Sequence, residues 1–161
     1  LELGLATGER GLDWDEGKIE AARRAAAVEP TLAARFEVAD VSEVELAAAD
    51  TVLLIDLLHY LEIDEQDALL GRAARALRPG GRLLVREADS ERGWRSWVTL
   101  AEELFFTLVR FNRGARVRFR PARQIVACLQ AEGLRCRIEP AWGRTPLSNV
   151  LIVGERPAED D

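Results

Sequence analysis

The chain has 161 residues, 48% hydrophobic and 31% charged, with a formal net charge of −6. This suits a single globular domain with one core and argues against a general nucleic-acid binder. No apolar run approaches the roughly 20 residues of a membrane span, and Cys128 and Cys136 stand in no metal-like or CxxC spacing.

The elements follow in chain order. "LELGL" (Leu1–Leu5) has the pattern of a buried strand's end, with no signal peptide before it, and runs into a turn carrying Gly4 and Gly8. "DEGKIEAARRAAAV" (Asp15–Val28) is a helix by propensity, with Asp13 or Asp15 as N-cap and acids in its first turn. "ARFEVAD" is a short strand ending at Asp40, and "DTVLLIDLL" is a strand apolar enough to be covered on both faces. "DEQDALLGRAARALRPGG" is a helix stopped by Pro79, Gly80 and Gly81, and "RLLVREA" is the next strand.

An amphipathic helix, "WRSWVTLAEELFFTLVRF", follows, then an acid-free stretch from Arg110 to Arg123 with six arginines. "PARQIVACLQAEGL" is a helix closed by Gly133, and Cys128 within it has the setting of a buried free thiol, in keeping with a reducing cytoplasm. "RCRIEPA" and "NVLIVGERP" are strands joined by the turn-rich "WGRTPLS", and the tail "ERPAEDD" has the composition of a disordered end.

Strands alternating with helices imply parallel pairing, and the last two strands, with no helix between them, should pair antiparallel. Ligands of such sheets sit beyond the carboxyl ends of the strands. Asp40, Asp56 and Glu87 all fall at such ends. Glycines at 4 and 8 would let backbone approach a ligand closely, or simply make a tight turn. Asp13, at a strand end, can accept from ribose hydroxyls or cap a helix. Asp40 can accept from an adenine amino group or hold a turn.

The succession "LELGLATG", "GLDWDEGKIEAARRA", "FEVADV", "ADTVLLIDLLHYL" and "ALRPGGRLLV" resembles the class I S-adenosylmethionine-dependent methyltransferase family over nearly the whole chain. "LRPGGRLLV" is the most distinctive piece. The resemblance implies an α/β fold: a Rossmann-like, mostly parallel sheet with a C-terminal antiparallel strand pair and helices on both faces. It implies S-adenosylmethionine as cofactor and S-adenosylhomocysteine as product. Glu2 would then lie near the methionine amino group, and Gly4, Leu5, Ala6 and Gly8 would form the loop under methionine and ribose. Asp13 would hold the ribose hydroxyls with Trp14 beside the adenine, and Asp40 and Val41 would meet the adenine edge. Asp56 and Leu57 would face the methionine. Leu5 is bulkier than the small residue usual there, and Ala6 replaces a glycine.

The domain expected on this basis is 1–156, with 157–161 a flexible tail and an acceptor-side insertion at about 90–120. Only five positions separate Gly8 from Asp13, where the family has a helix and most of a strand, about a dozen residues or more. A missing segment near Arg10–Gly11 is the expectation.

Methyl transfer needs a base only when the acceptor keeps its proton, as a hydroxyl does. His59, the sole histidine, follows the strand "DTVLLIDLL" and is the candidate base, or else packs or caps there. Tyr60, Glu87, Trp94 and Arg116 are the candidates for the acceptor side. The arginine stretch suits an anionic acceptor, such as a fatty acyl group on a carrier protein or a phospholipid headgroup, or else an exposed edge strand. The chain also resembles small bacterial methyltransferases linked to lipid or polyene biosynthesis. The expected function is therefore methyl transfer to a small-molecule or lipid-like acceptor in the cytoplasm. The alternative is an inactive cofactor-binding or scaffold member. A nicotinamide oxidoreductase is poorly matched, since Lys18 is the only lysine and Tyr60 the only tyrosine.

Overall fold

The computed structural model describes residues 8–28, 33–91, 118–143 and 148–158. It divides into two units, residues 1–45 and 46–161.

In the first unit, β1 (Glu9–Asp13) and β2 (Ala34–Val38) pair parallel, from Glu9 opposite Ala34 to Asp13 opposite Val38. Helix α1 (Glu16–Ala26) is the crossover between them. Of the two candidate caps, Asp15 takes the role: its carboxylate accepts from Lys18 N at 3.1 Å. Glu16 in the first turn and Arg23 and Arg24 in the last complement the helix dipole. Arg23 also donates through Nε and Nη2 to Phe36 O, at 2.9 and 2.7 Å, tying helix to strand.

The second unit is built on four strands, β3 (Ala49–Ile55), β4 (Leu77–Ala88), β5 (Arg135–Pro140) and β6 (Asn149–Glu155), in the order β3-β4-β6-β5. β3 and β4 are parallel, while β6 runs antiparallel to both β4 and β5. The expected single reversed strand is therefore β6. Helix α2 (Ile63–Ala76) buries Gln66, Leu69, Leu70, Ala73 and Ala74, the three-and-four spacing of one helical face. Helix α3 (Ala122–Ala131) buries Ala122, Ile125 and Leu129. It ends in the left-handed turn expected of Gly133, at φ +85, with Gly133 N bonded to Gln130 O and Leu134 N to Leu129 O. The core face of the sheet alternates as a strand must: Leu83 and Val85 of β4 pair with Gly154 and Ile152 of β6.

Among the described residues, the strands form a two-stranded parallel sheet in the first unit and a four-stranded mixed sheet in the second. Several finer expectations are corrected. Helices do not cover both faces of β3 among the described residues: Leu54 is buried, but Leu53 is 59% and Ile55 47% exposed. The helix before "RPGG" stops at Ala76, ahead of Pro79, because Leu77 is already extended at φ −68, ψ 135. Arg78, as the residue before proline, is also disfavoured from helical geometry. Glu155 and Arg156, expected in a disordered tail, are tied in: Glu155 ends β6, and Arg156 N donates to Gly81 O at 2.9 Å. The helix expected at Trp94–Phe111 lies outside the described residues.

The two glycines after Pro79 do different things. Gly80 sits at φ +76 with open space around it, whereas a Cβ on Gly81 would lie 2.8 Å from Arg78 O and 3.0 Å from Asp50 O. Gly81→Ala should therefore lower stability by about 1–3 kcal/mol, since backbone must move. Gly80→Asn should cost less than about 1 kcal/mol, because asparagine tolerates the left-handed region. Urea unfolding midpoints measure both, and equal midpoints would refute the distinction.

Candidate active site

At the carboxyl end of β1, Asp13 Oδ1 accepts from Asp15 N at 2.8 Å, and Oδ2 lies 3.4 Å from Lys18 Nζ. Ala39 N donates to Asp13 O at 3.1 Å, so the ends of β1 and β2 adjoin. Asp40 follows β2. Its Oδ1 accepts from Ser42 N at 2.8 Å and Ser42 Oγ at 2.6 Å, and these bonds hold its carboxyl below the usual range. Trp14, half exposed at 53%, stands beside Asp13 in the chain.

In the second unit, the chain leaves β3 through Asp56, a non-glycine residue at φ +50. Such a conformation costs on the order of 1–2 kcal/mol and persists only where the surroundings impose it. Here Asp56 N donates to Arg86 O at 3.0 Å, and Asp56 Oδ2 meets Arg86 Nη1 at 3.1 Å. Burial pushes the Asp56 carboxyl up, against the pull of Arg86.

A short 3₁₀ turn, Leu58–Tyr60, then carries His59 into the interior, 2% exposed. Its Nδ1 lies 2.7 Å from Glu87 Oε1. Glu87, also 2% exposed, takes two backbone donors as well: Ala88 N at 3.1 Å on Oε1 and His59 N at 3.3 Å on Oε2. A carboxylate that accepts from every neighbour makes Nδ1 the hydrogen-bearing nitrogen and leaves Nε2 as the basic one.

Sequence reasoning had not singled out the groups that close around this turn. Phe119 lies with its ring centroid 5.0 Å from that of His59. Arg118 N donates to His59 O at 2.8 Å, and buried Gln66 bridges Leu61 O and Arg118 O through Nε2, both at 3.1 Å. Arg86 could have been foreseen, since it precedes Glu87 in β4 and lies opposite Ile55. Phe119 gave no signal, lying amid arginines. Among the described arginines of that stretch, Arg118 pairs with Glu62, Arg120 with Asp67 and Arg123 with Glu91, and none of the three lies in a strand. Arg110, Arg113 and Arg116 lie outside the described residues. Cys128 and Cys136 are free and half-buried, and burial pushes both thiols up.

Of the expected site residues, Gly8, Asp13, Trp14, Asp40 and Val41 belong to the first unit. Asp56, Leu57, His59, Tyr60 and Glu87 gather at the ends of β3 and β4 in the second. Glu2, Gly4, Leu5, Ala6, Trp94 and Arg116 lie outside the described residues.

A family model described as a methyltransferase domain matches residues 6–81. Among solved structures, the chain is similar to an O-methyltransferase family protein from Burkholderia thailandensis, at 24% identity and a TM-score of 0.67. That match covers 94% of this chain and 43% of the other. It is similar to a mitomycin 7-O-methyltransferase at 27% identity and TM-score 0.68, covering 92% and 41%. It is similar to human N-acetylserotonin methyltransferase, solved with S-adenosylmethionine, at 19% identity and TM-score 0.64, covering 93% and 40%. The chain thus spans less than half the length of each of these three. Among curated proteins, none matches the sequence. Residues 6–81 thus match a methyltransferase domain, and the fold is similar to that of S-adenosylmethionine-dependent methyltransferases.

The first unit offers groups of the kinds that suit the adenosine end of S-adenosylmethionine, a carboxylate and an aromatic ring. Asp13 presents a partly exposed carboxylate at a strand's end, and Trp14 an exposed ring beside it. Among the described residues, no helix is long and apolar enough to cross a membrane.

Asp56→Asn keeps a side chain that tolerates positive φ and removes the titration. Because the folded state holds this proton more tightly than the unfolded chain, the stability it contributes is complete below about pH 4. It is lost as pH rises through the raised value. Wild-type stability minus that of Asp56→Asn, from urea midpoints, should fall with rising pH through this window and then level off. A difference that grows with pH would reverse the sign.

Proposed function

We propose that the chain transfers the methyl group of S-adenosylmethionine to a hydroxyl of a small-molecule or lipid-like acceptor, with His59 as general base. The observation that supports this is the buried 2.7 Å contact between His59 Nδ1 and Glu87 Oε1 at the end of two parallel strands. The O-methyltransferases among the similar structures accord with it. The cofactor, when bound, supplies an electrophilic methyl carbon.

The protein's own tasks are to orient the acceptor, exclude water and take the proton. His59 Nε2 takes the hydroxyl proton, and Glu87 fixes the tautomer and stabilises the imidazolium formed. Asp13 accepts from the ribose hydroxyls, Trp14 lies against the adenine, and Asp40 and Val41 meet its edge. Gly4, Leu5, Ala6 and Gly8 would form the loop under methionine and ribose, and Glu2, Asp56 and Leu57 would serve the methionine end. Tyr60, Trp94 and Arg116 line the acceptor side, within a single domain acting in the cytoplasm.

Calorimetry with S-adenosylhomocysteine tests the cofactor half. Asp13→Ala should weaken binding by roughly 1–3 kcal/mol through the loss of charged hydrogen bonds. Unchanged affinity would take Asp13 out of the site. Labelled-methyl transfer to a panel of phenols and hydroxylated acyl chains tests the rest. His59→Gln should reduce turnover by about 10²–10⁴-fold while S-adenosylhomocysteine binding stays as in wild type. Turnover unaffected by that change would refute the base. Binding with no transfer to any acceptor would favour the binding-only alternative.

A further inference from the structure

His59 is held by more than its carboxylate. Tyr60 lies with its ring centroid 4.1 Å from the imidazole, tilted by 50°, and Phe119 approaches to 5.0 Å, tilted by 37°. Both distances fall inside the roughly 6 Å within which a cation and an aromatic ring attract. Phe119 does not reach this place by chance packing of a loose loop. The residues either side of it are fastened to α2 and to the turn itself. Arg118 N donates to His59 O, Arg118 pairs with Glu62 at 2.6 Å, and Arg120 pairs with Asp67 at 2.5 Å. Gln66 Nε2 donates to Arg118 O at 3.1 Å.

We propose that Phe119 is a positioning residue for His59, its ring pressing the imidazole against Glu87 and stabilising the imidazolium when the ring accepts a proton. This rests on the assignment of His59 as base but is read without turnover. The other charges facing the imidazole are Glu87 on β4 and Asp56 with its partner Arg86 at the strand ends. Arg118, paired with Glu62, is the charged residue next to Phe119 in the segment that bonds the turn. All of these residues are retained in a Phe119 variant.

Because the chain has one histidine, its ring proton resonances identify themselves, and an NMR pH titration of the full chain reads His59 directly. Phe119→Leu should lower the titration midpoint by about 0.5–1 pH unit, and Phe119→Tyr should restore it. Should Phe119→Leu not fold, trifluorophenylalanine at position 119 keeps the shape while emptying the ring face, and should lower the midpoint by a comparable amount. A midpoint unmoved by fluorination, or by Phe119→Leu in a folded protein, would overturn the proposal. The two readings fail separately. Transfer that needs His59 with a titration blind to the ring removes only Phe119's role. A titration that responds in a protein whose turnover ignores His59 removes only the base.

Discussion

A carboxylate taken out of water must be met by donors, or its burial costs several kcal/mol. Glu87 is that group in the second unit, and the turn after β3 is shaped to meet it. Its two oxygens collect the Nδ1 of His59 and two backbone N–H groups. Two of those three donors belong to one residue, so the 3₁₀ turn and the imidazole are set by the same contact. The left-handed Asp56 just before the turn is the backbone consequence: the chain must swing sharply off β3 to deliver both donors to one carboxylate.

That Glu87 reaches this spot follows from strand periodicity. Leu83, Val85 and Glu87 share a face, opposite Gly154, Ile152 and Val150 of β6. The apolar stripe continues until the sheet ends, and there a carboxylate replaces the next aliphatic residue. A small residue at Gly154 lets Leu129 and Leu134 close over the other end of the stripe. Thus a packed core and a polar constellation are the two ends of a single row of side chains. The buried leucines of α2 and α3 fix the strand, and the strand fixes the carboxylate.

Much of this was legible in the sequence because periodicity and capping are local. The helix of α2 is visible in the spacing from Gln66 to Ala74, and the stop of α3 in Gly133. Asp13, Asp56 and Glu87 at strand ends could be named because a strand's end is where its apolar run stops. What could not be seen depends on distant pairs. Nothing in "RVRFR" tells that Arg118 and Arg120 are neutralised by Glu62 and Asp67, since those partners lie on another element. For the same reason Phe119 against His59 was invisible. Asp40 was legible only as a choice, and Ser42 two positions on, bonded to its carboxylate, gives the turn reading a definite geometry.

The crowding between Gly8 and Asp13 also has a physical resolution. Glu9 to Asp13 form β1 in full, each paired across to Ala34 through Val38, so none of these residues can serve as a crossover. A parallel pair needs a connection that returns the chain to the starting end, and between β1 and β2 helix α1 supplies it. Before β1 the same requirement would hold for any strand that "LELG" forms parallel to it, and only Leu5–Gly8 would stand between them. Four residues extended span about 14 Å, less than the length of the strand plus its return. The glycine-bearing loop and β1 therefore cannot be joined as a complete parallel crossover by those residues alone.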